Sequence, residues 1–208
     1  MFDSIEEAFA GIAPTPKGRT ALRAIFRATH QIVMDKGMHG ASLDAIASRA
    51  GLSQAALRYY FPTREELLTT FFVAATQWLQ TQMAGRLADI GQSPRDTLAS
   101  CLAWHLEYME AVDTAAWLES SAYWLRRKPR RNTRDQWYRW LAGRYALLIE
   151  RMRPDIGRGE SRRRAFAMLT LILGAWITHG RGSAVDRSLP AAARRQLLVD
   201  TALAIATR

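Results

Sequence analysis

The stretch that decides the fold reads "ASLDAIASRAGLSQAALRYYFPTREELL" and spans residues 41–68. Its helical spacing is interrupted at Gly51 and again at Pro62, which leaves two short helices within fewer than thirty residues. Short helices are marginal on their own, because nucleation is costly and few hydrogen bonds offset that cost. The sharp breaks therefore determine the orientation of the short helices and do not add local stability.

The first break has the residue pattern of a tight helical turn. Ser42 is a good N-cap for the first short helix, and Gly51 follows its last turn, where a left-handed residue commonly ends a helix. Ser53 caps the second short helix over 54–60. A small residue, Ala47, four positions before the glycine and surrounded by apolar residues, is typical of a helix-turn-helix.

The continuation strengthens this interpretation. Thr63 caps a further helix, and Glu66 completes a capping box. Together with the preceding amphipathic helix, which ends in "MDKGMHG", the stretch resembles the TetR family of bacterial transcriptional regulators over about residues 17–70. The resemblance implies a three-helix DNA-binding domain on a helical body that binds a ligand and dimerises.

The rest of the chain is also predicted to be helical. Hydrophobic spacing is helical almost everywhere, with no convincing alternating strand, so the expected fold is all-α. We expect a flexible N-terminal arm at 1–16, a helix-turn-helix domain at 17–68, and a larger effector-binding and dimerisation domain at 69–208. The individual helices are predicted at about 17–36, 43–50, 54–60, 64–88, 94–110, 112–127, 133–152, 160–180 and 189–206.

The second short helix is the predicted recognition helix. Its N-terminal end can enter a major groove, as recognition helices do. The Gln54 amide can pair with adenine, and Ala55 is small enough for close approach and a thymine methyl contact. Arg58 can take guanine or a phosphate, and the sequence leaves both open.

Phosphate contacts are implied mainly by the resemblance. Tyr59 matches the family's aromatic phosphate-contact position, Tyr60 lies where many relatives carry histidine, and Arg64 matches a position usually held by lysine. Arg27 is interpreted as part of a solvated face, whereas Arg19 and Arg23 could contact phosphate or solvent. The full predicted DNA-binding set is Arg19, Arg23, Ser42, Ser53, Gln54, Ala55, Arg58, Tyr59, Tyr60 and Arg64.

Net charge does not point to this segment. The chain carries 29 Lys and Arg against 19 Asp and Glu, a net charge of +10, which favours an anionic partner. Residues 1–68 hold eight basic against seven acidic side chains, whereas residues 126–164 hold fourteen against four. The basic excess therefore lies in the body.

The body contains an aromatic region that suits a small-molecule pocket. Such pockets are mostly apolar with a few placed polar groups. Glu107, Glu110 or Glu119 would suit a cationic effector, whereas the arginines of "LRRKPRRNTR" would suit an anionic one, and packing into an ordinary core is the alternative. The predicted pocket residues are Trp104, His105, Tyr108, Trp117, Trp124, Trp137 and Tyr145.

The last two helices carry apolar stripes, "MLTLILGAW" and "LLVDTALAIA". In TetR-like proteins the equivalent pair packs against its symmetry mate, so the resemblance implies a homodimer with a four-helix bundle at its interface. An intramolecular core is the alternative. The predicted interface residues are Leu171, Gly174, Ala175, Leu197, Leu198 and Ala202.

Other classes of protein are disfavoured. No apolar run is long enough to span a bilayer, and "MFDSIEEAFAG" lacks the features of a signal peptide, so a cytoplasmic location without membrane attachment is expected. The single cysteine, Cys101, is interpreted as a core residue. The four histidines show no metal-ligand spacing, and no nucleophile or phosphate-loop motif occurs, so neither an enzyme nor a cofactor or metal is predicted.

The leading functional hypothesis is a repressor that binds double-stranded DNA at an inverted-repeat operator and is released by an unknown small-molecule effector. A DNA-binding architectural or cell-division factor without an effector is the alternative.

Overall fold

The computed structural model describes residues 12–88, 91, 93–126, 133–183 and 188–208. This part of the chain forms nine α-helices and no strand, which confirms the predicted all-α fold. Within it, no helix is both long and apolar enough to cross a lipid bilayer. The helices are α1 (Pro16–Gly40), α2 (Leu43–Ala50), α3 (Gln54–Tyr60), α4 (Arg64–Leu87), α5 (Pro94–Ala111), α6 (Thr114–Leu125), α7 (Thr133–Met152), α8 (Arg158–Thr178) and α9 (Ala191–Thr207).

The chain divides into two compact units. The first runs to Thr81 and includes Leu118–Thr133, and the second comprises Gln82–Trp117 and Arg134–Arg208. Helices α4 and α6 therefore each contribute residues to both units. The predicted DNA-binding domain ending at 68 stays a prediction, and most of the predicted arm, residues 1–11, lies outside the described residues.

The first unit is built around Phe26 of α1. Its ring centroid lies 5.9 Å from that of Phe61 and 5.9 Å from that of Phe71. Ile46 of α2 and Leu57 of α3 are fully buried in the same unit. Each short helix thus contributes apolar side chains to the core, and this burial stabilises helices that are too short to be stable alone.

The end of α1 differs from its prediction. The helix was expected to stop at 36, but it reaches Gly40 with an interruption at Gly37, whose φ of 68° is left-handed. The break therefore occurs at the glycine of "MDKGMHG", and the chain makes a further turn beyond it. A left-handed residue favours glycine, which has no Cβ to clash with the backbone.

The second unit has a core of long helices. Trp137, Leu141, Tyr145 and Ile149 recur every four residues along α7, and all are buried. Helix α9 packs against both α8 and α5. Cys101 of α5 is buried, as predicted, and burial raises the pKa of its thiol to about 11.

Candidate nucleic-acid interface

The turn between α2 and α3 is closed by hydrogen bonds. Ser42 Oγ accepts from Ala45 N–H at 3.1 Å at the start of α2. Gly51 ends this helix in the left-handed conformation (φ 69°), and the Leu52 N–H then donates to the Ala47 carbonyl at 3.0 Å. These bonds satisfy backbone groups that a helix end leaves without partners.

Helix α3 follows this turn and buries one side chain. Ser53 Oγ accepts from Ala56 N–H at 3.1 Å and caps the helix. Leu57 is the only buried residue of α3, and it is fully buried. The helix-turn-helix geometry predicted from the sequence is therefore formed, with almost the whole surface of α3 facing away from the core.

The exposed surface of α3 holds the predicted base-reading side chains. Gln54, Ala55 and Arg58 are exposed, and Arg58 makes no hydrogen bond or ion pair with any residue that the structure describes. Tyr59 is 83% exposed, and its ring meets the half-buried Tyr60 edge to face at 5.3 Å. An exposed amide, a small side chain and a guanidinium at one helix end are groups that hydrogen-bond base edges and phosphates.

The arginines of α1 are placed differently from one another. Arg19 is half-buried and donates from Nη1 to the Pro14 carbonyl at 2.8 Å, whereas Arg27 is exposed. Arg23 is half-buried. A phosphate contact from Arg19 or Arg23 stays a prediction, and so do all the base contacts.

Arg64 has a structural role that the sequence did not reveal. Its Nε donates to the Ala41 carbonyl at 2.8 Å, and its Nη2 donates to the Met38 carbonyl at 2.5 Å. The half-buried guanidinium therefore holds the segment between α1 and α2. A phosphate contact was predicted for Arg64 and remains a prediction, but two of its donor atoms already have partners.

The second unit brings several predicted pocket residues together. The Trp104 and Tyr108 rings stack at 5.9 Å, and Tyr108 meets Trp176 edge to face at 6.1 Å. Trp117 stacks on Trp176 at 4.7 Å, with an interplanar angle of 4°. We call Trp104, Tyr108, Trp117 and Trp176 the aromatic cluster. Trp176 was not among the predicted pocket residues.

The other predicted pocket residues lie elsewhere. The His105 and Trp137 ring centroids are 6.4 Å apart, and both residues are buried, as is Tyr145. Burial lowers the pKa of His105 to about 4 and raises that of Tyr145 well above its ordinary value. His105 is therefore neutral at pH 7. The side chain of Trp124 lies outside the described residues.

The predicted dimer interface stays a prediction. Ala175 and Ala202 are buried within their own protomer, with 1% and 0% exposure, so their own chain already covers them. Gly174 and Leu197 are exposed, while Leu171 and Leu198 are half-buried. Two large apolar residues that were not predicted, Phe166 and Ile177 of α8, are 69% and 54% exposed. The small residues of these helices thus occur both in the internal packing and at exposed positions.

Known proteins are similar to residues 25–70 in sequence and to most of the chain in fold. The model of the bacterial regulatory proteins of the tetR family matches residues 25–70. The transcriptional regulator PksA of Bacillus subtilis is 41% identical over 68 residues, which are 33% of this chain and 31% of PksA. The regulator BetI 1 of Chromohalobacter salexigens is 27% identical over 188 residues, covering 86% of each chain.

Solved structures extend the similarity to the whole fold. The TetR-family regulator SCO4454 of Streptomyces coelicolor superposes with a TM-score of 0.70 at 15% identity, covering 98% of this chain and 92% of that one. A transcriptional regulator of Saccharomonospora viridis, solved in complex with choline, has a TM-score of 0.67 at 20% identity, covering 86% and 94%.

An exposed second helix of a helix-turn-helix, carried on an all-helical chain, defines a DNA-binding transcriptional regulator. Over residues 25–70 the sequence is similar to the TetR family of bacterial regulatory proteins, and the fold is similar to that of a solved TetR-family regulator.

Proposed function

We propose that this protein is a cytoplasmic, homodimeric repressor that reads an inverted-repeat operator through α3 and is released by a small-molecule effector. The observation that carries the proposal is the exposure of α3. Its single inward side chain, Leu57, attaches the helix, and Gln54, Ala55 and Arg58 are left free to meet base edges.

Dimerisation is supported by the exposed apolar side chains of α8 and α9. Phe166, Ile177 and Leu197 are each more than half exposed, which is unfavourable in water unless another surface covers them. A second copy of the chain is the proposed cover. A two-fold dimer places two α3 helices on successive half-sites about one DNA turn apart, which explains the inverted repeat.

The effector is proposed to bind at the aromatic cluster. Choline in the Saccharomonospora viridis regulator makes an organic cation the first class to test, because aromatic faces attract cations. One ring of the cluster is already used in this way, since the Arg86 guanidinium lies 4.5 Å from the Trp104 ring centroid. Two rings outside the cluster also carry an arginine, at 5.3 Å for Arg134 over Tyr138 and 5.6 Å for Arg144 over Trp140. An organic cation would therefore compete with one of these arginines for a ring.

One observation favours the second candidate, a DNA-binding protein without an effector. Trp117 and Trp176 are stacked on each other, so each already covers one face of the other ring. Rings that fill the interior in this way need no ligand. Effector release would then not occur, although DNA binding through α3 would be unchanged.

Selection from random duplex DNA at near-physiological salt tests the reading of an operator. We expect the wild-type protein to enrich an inverted repeat, and Gln54→Ala to weaken binding at matching positions in each half. Leu147→Ala, a change at an exposed position of α7, is the control. Salt-sensitive binding without any enriched sequence would contradict the proposal, since phosphate contacts alone carry no sequence information.

Titration of the protein–operator complex tests effector release. Choline and benzoate, as an organic cation and an organic anion of similar size, are added while DNA anisotropy is followed. Release by choline alone, with the dimer intact by sedimentation, is the expected result. Release by benzoate alone would contradict the cationic class, and a complete lack of response to a broader panel of small molecules would favour the second candidate.

A further inference from the structure

A carboxylate from α6 reaches the corner between α1 and α2. Glu119 Oε2 accepts the Met38 N–H at 2.5 Å, across 81 positions of sequence, and both residues belong to the first unit. Met38 follows the left-handed Gly37, where the backbone departs from helical geometry. Glu119 thus supplies an acceptor to a buried backbone segment at the helix break.

The carboxylate lies directly against the glycine. A Cβ added at Gly37 would lie 2.6 Å from Glu119 Oε2 and 2.8 Å from Oε1, closer than side-chain atoms approach each other. Glycine is therefore favoured here by its φ of 68°, and a side chain at this position would have to displace the Glu119 carboxylate from its bond to Met38. This contact needs both residues in their present form.

Arg64 also makes hydrogen bonds to the backbone of this corner. The Met38 N–H is bonded to Glu119, and the Met38 and Ala41 carbonyls are bonded to Arg64. The next residue, Ser42, is the N-cap of α2. A carboxylate and a guanidinium thus fix the backbone from which the whole helix-turn-helix begins. Charged partners strengthen such bonds to the backbone.

We propose that Glu119 is a positioning residue for DNA binding, which sets the corner before α2 and so the placement of α2 and α3 on the operator. The inference rests on the proposed reading of DNA by α3. It assigns to the DNA-binding head a residue that lies outside the helix-turn-helix sequence.

The surroundings of Glu119 allow it to be changed without loss of the fold. It borders an open cavity of about 530 Å³, lined by Met38, His39, Glu119, Ala122, Tyr123 and Arg126, so truncation creates no closed void. One turn further along α6, the Tyr123 ring lies 6.1 Å from that of Phe72 on α4. This ring contact is independent of the carboxylate and keeps α6 attached to the first unit.

The test compares full-length wild type, Glu119→Ala, Glu119→Gln and the control Glu150→Gln. The probe is a duplex carrying the repeat that the wild-type protein selects. We expect Glu119→Ala to bind it at least tenfold more weakly, and Glu119→Gln to stay within threefold, because the amide oxygen can accept the same N–H. Glu150 of α7 lies in the second unit, and its side chain makes no hydrogen bond or ion pair with the described residues. Its replacement therefore reproduces the charge change alone and should alter affinity less than twofold.

Two further readouts separate positioning from a general loss of stability. Hydrogen exchange at the Met38 amide should accelerate in Glu119→Ala more than exchange at amides of the second unit, and titration at high DNA concentration should show an unchanged active fraction. Gly37→Ala should weaken operator binding less in the Glu119→Ala background than in wild type, because the clash with the carboxylate is gone.

Glu119→Ala binding within twofold of wild type, or Glu119→Gln binding as weakly as Glu119→Ala, would overturn the inference. If the wild-type protein selects no sequence, the proposed function fails instead. A selected sequence that Glu119→Ala binds normally overturns this inference alone.

Discussion

The exposed surfaces of the helix-turn-helix and of helices α8 and α9 differ in polarity. The short helices α2 and α3 are capped by side chains at both starts, and α3 presents polar and small residues outward. Helix α8 begins at Arg158 after Gly157, which provides no side-chain cap, and it exposes large apolar residues, including Phe166. The polar side chains of the first surface are well solvated by water and suit a polar, charged partner. The apolar side chains of the second surface are poorly solvated and suit an apolar partner.

This difference shows how the two proposed partners would be recognised. DNA is met by side chains that are already exposed, so binding requires little apolar burial at α3 and depends on hydrogen bonds and salt. A second protomer is met by apolar side chains, so that association is driven by the area removed from water. Changes on the two surfaces should therefore affect different measurements.

The largest effect is expected from Phe166→Asp. Covering a phenylalanine contributes roughly 1.5–3 kcal/mol, and a two-fold interface doubles this contribution. We expect the dimer dissociation constant to rise at least 100-fold in sedimentation experiments, with operator affinity falling in parallel. Leu147→Asp, at a half-exposed position of α7, is the control. A Phe166→Asp protein that still sediments like wild type would remove this face as the interface.

Leu57→Ala should have the next largest effect, and on the other surface. Leu57 is fully buried and is the only inward side chain of α3. Truncating a buried leucine costs about 2–5 kcal/mol in the free energy of unfolding. Urea denaturation should show this loss, and operator binding should disappear while the dimer persists. Leu125→Ala, 63% exposed, should change stability by less than about 0.5 kcal/mol.

Arg64→Ala distinguishes a structural role from a phosphate contact. Loss of the two bonds to the Met38 and Ala41 carbonyls should cost about 1.5–3 kcal/mol of stability, because hydrogen bonds from charged groups are the stronger ones. If the role is structural, the salt dependence of DNA binding keeps its slope. A slope lowered by about 1, with stability unchanged, would instead identify a phosphate contact.

The smallest effect compares one substitution in two conformations. Gly51 is left-handed, and a Cβ added there meets no atom within 4 Å, so Gly51→Ala carries only the conformational cost of about 1 kcal/mol. Gly143 lies inside α7 with equal space around it, and Gly143→Ala should stabilise the protein by about 0.5–1 kcal/mol. Thermal unfolding of both variants checks the opposite signs. Equal signs would contradict the assigned backbone conformations.

The helix-turn-helix was predictable because its determinants are local. Ser42, Gly51 and Ser53 act on residues within five positions, and each makes the cap or turn that its residue type favours. The all-α fold was predictable for the same reason, since helical periodicity is a local signal.

The exposed face of α8 and α9 was less predictable because small residues have two uses. Ala175 and Ala202 allow close approach of helices inside one protomer, and sequence alone does not distinguish this from close approach between protomers. Only the burial of each position within the folded chain separates the two cases. The register of α8 moves the exposed stripe to Phe166, Gly174 and Ile177.

Contacts between distant segments were not predictable. Trp176 stacks on Trp117 from 59 positions away, and Glu119 reaches Met38 from 81 positions away. Neither residue type signals such a partner, because tryptophan in an apolar stripe and glutamate on a helix are both ordinary. Arg64 was recognised as important, but its bonds to the backbone depend on how α1 ends.

The burial of Cys101 has a practical consequence for labelling. The thiolate is the form that attacks thiol reagents, and a pKa of about 11 leaves almost none of it at neutral pH. The wild-type chain is therefore a nearly unreactive background for maleimide dyes and nitroxides, since Cys101 is its only cysteine. A single Gln31→Cys change on the exposed side of α1 would place one probe per chain. In the proposed dimer, spectroscopic distance measurements between the two probes would then follow the separation of the two DNA-binding domains with and without DNA.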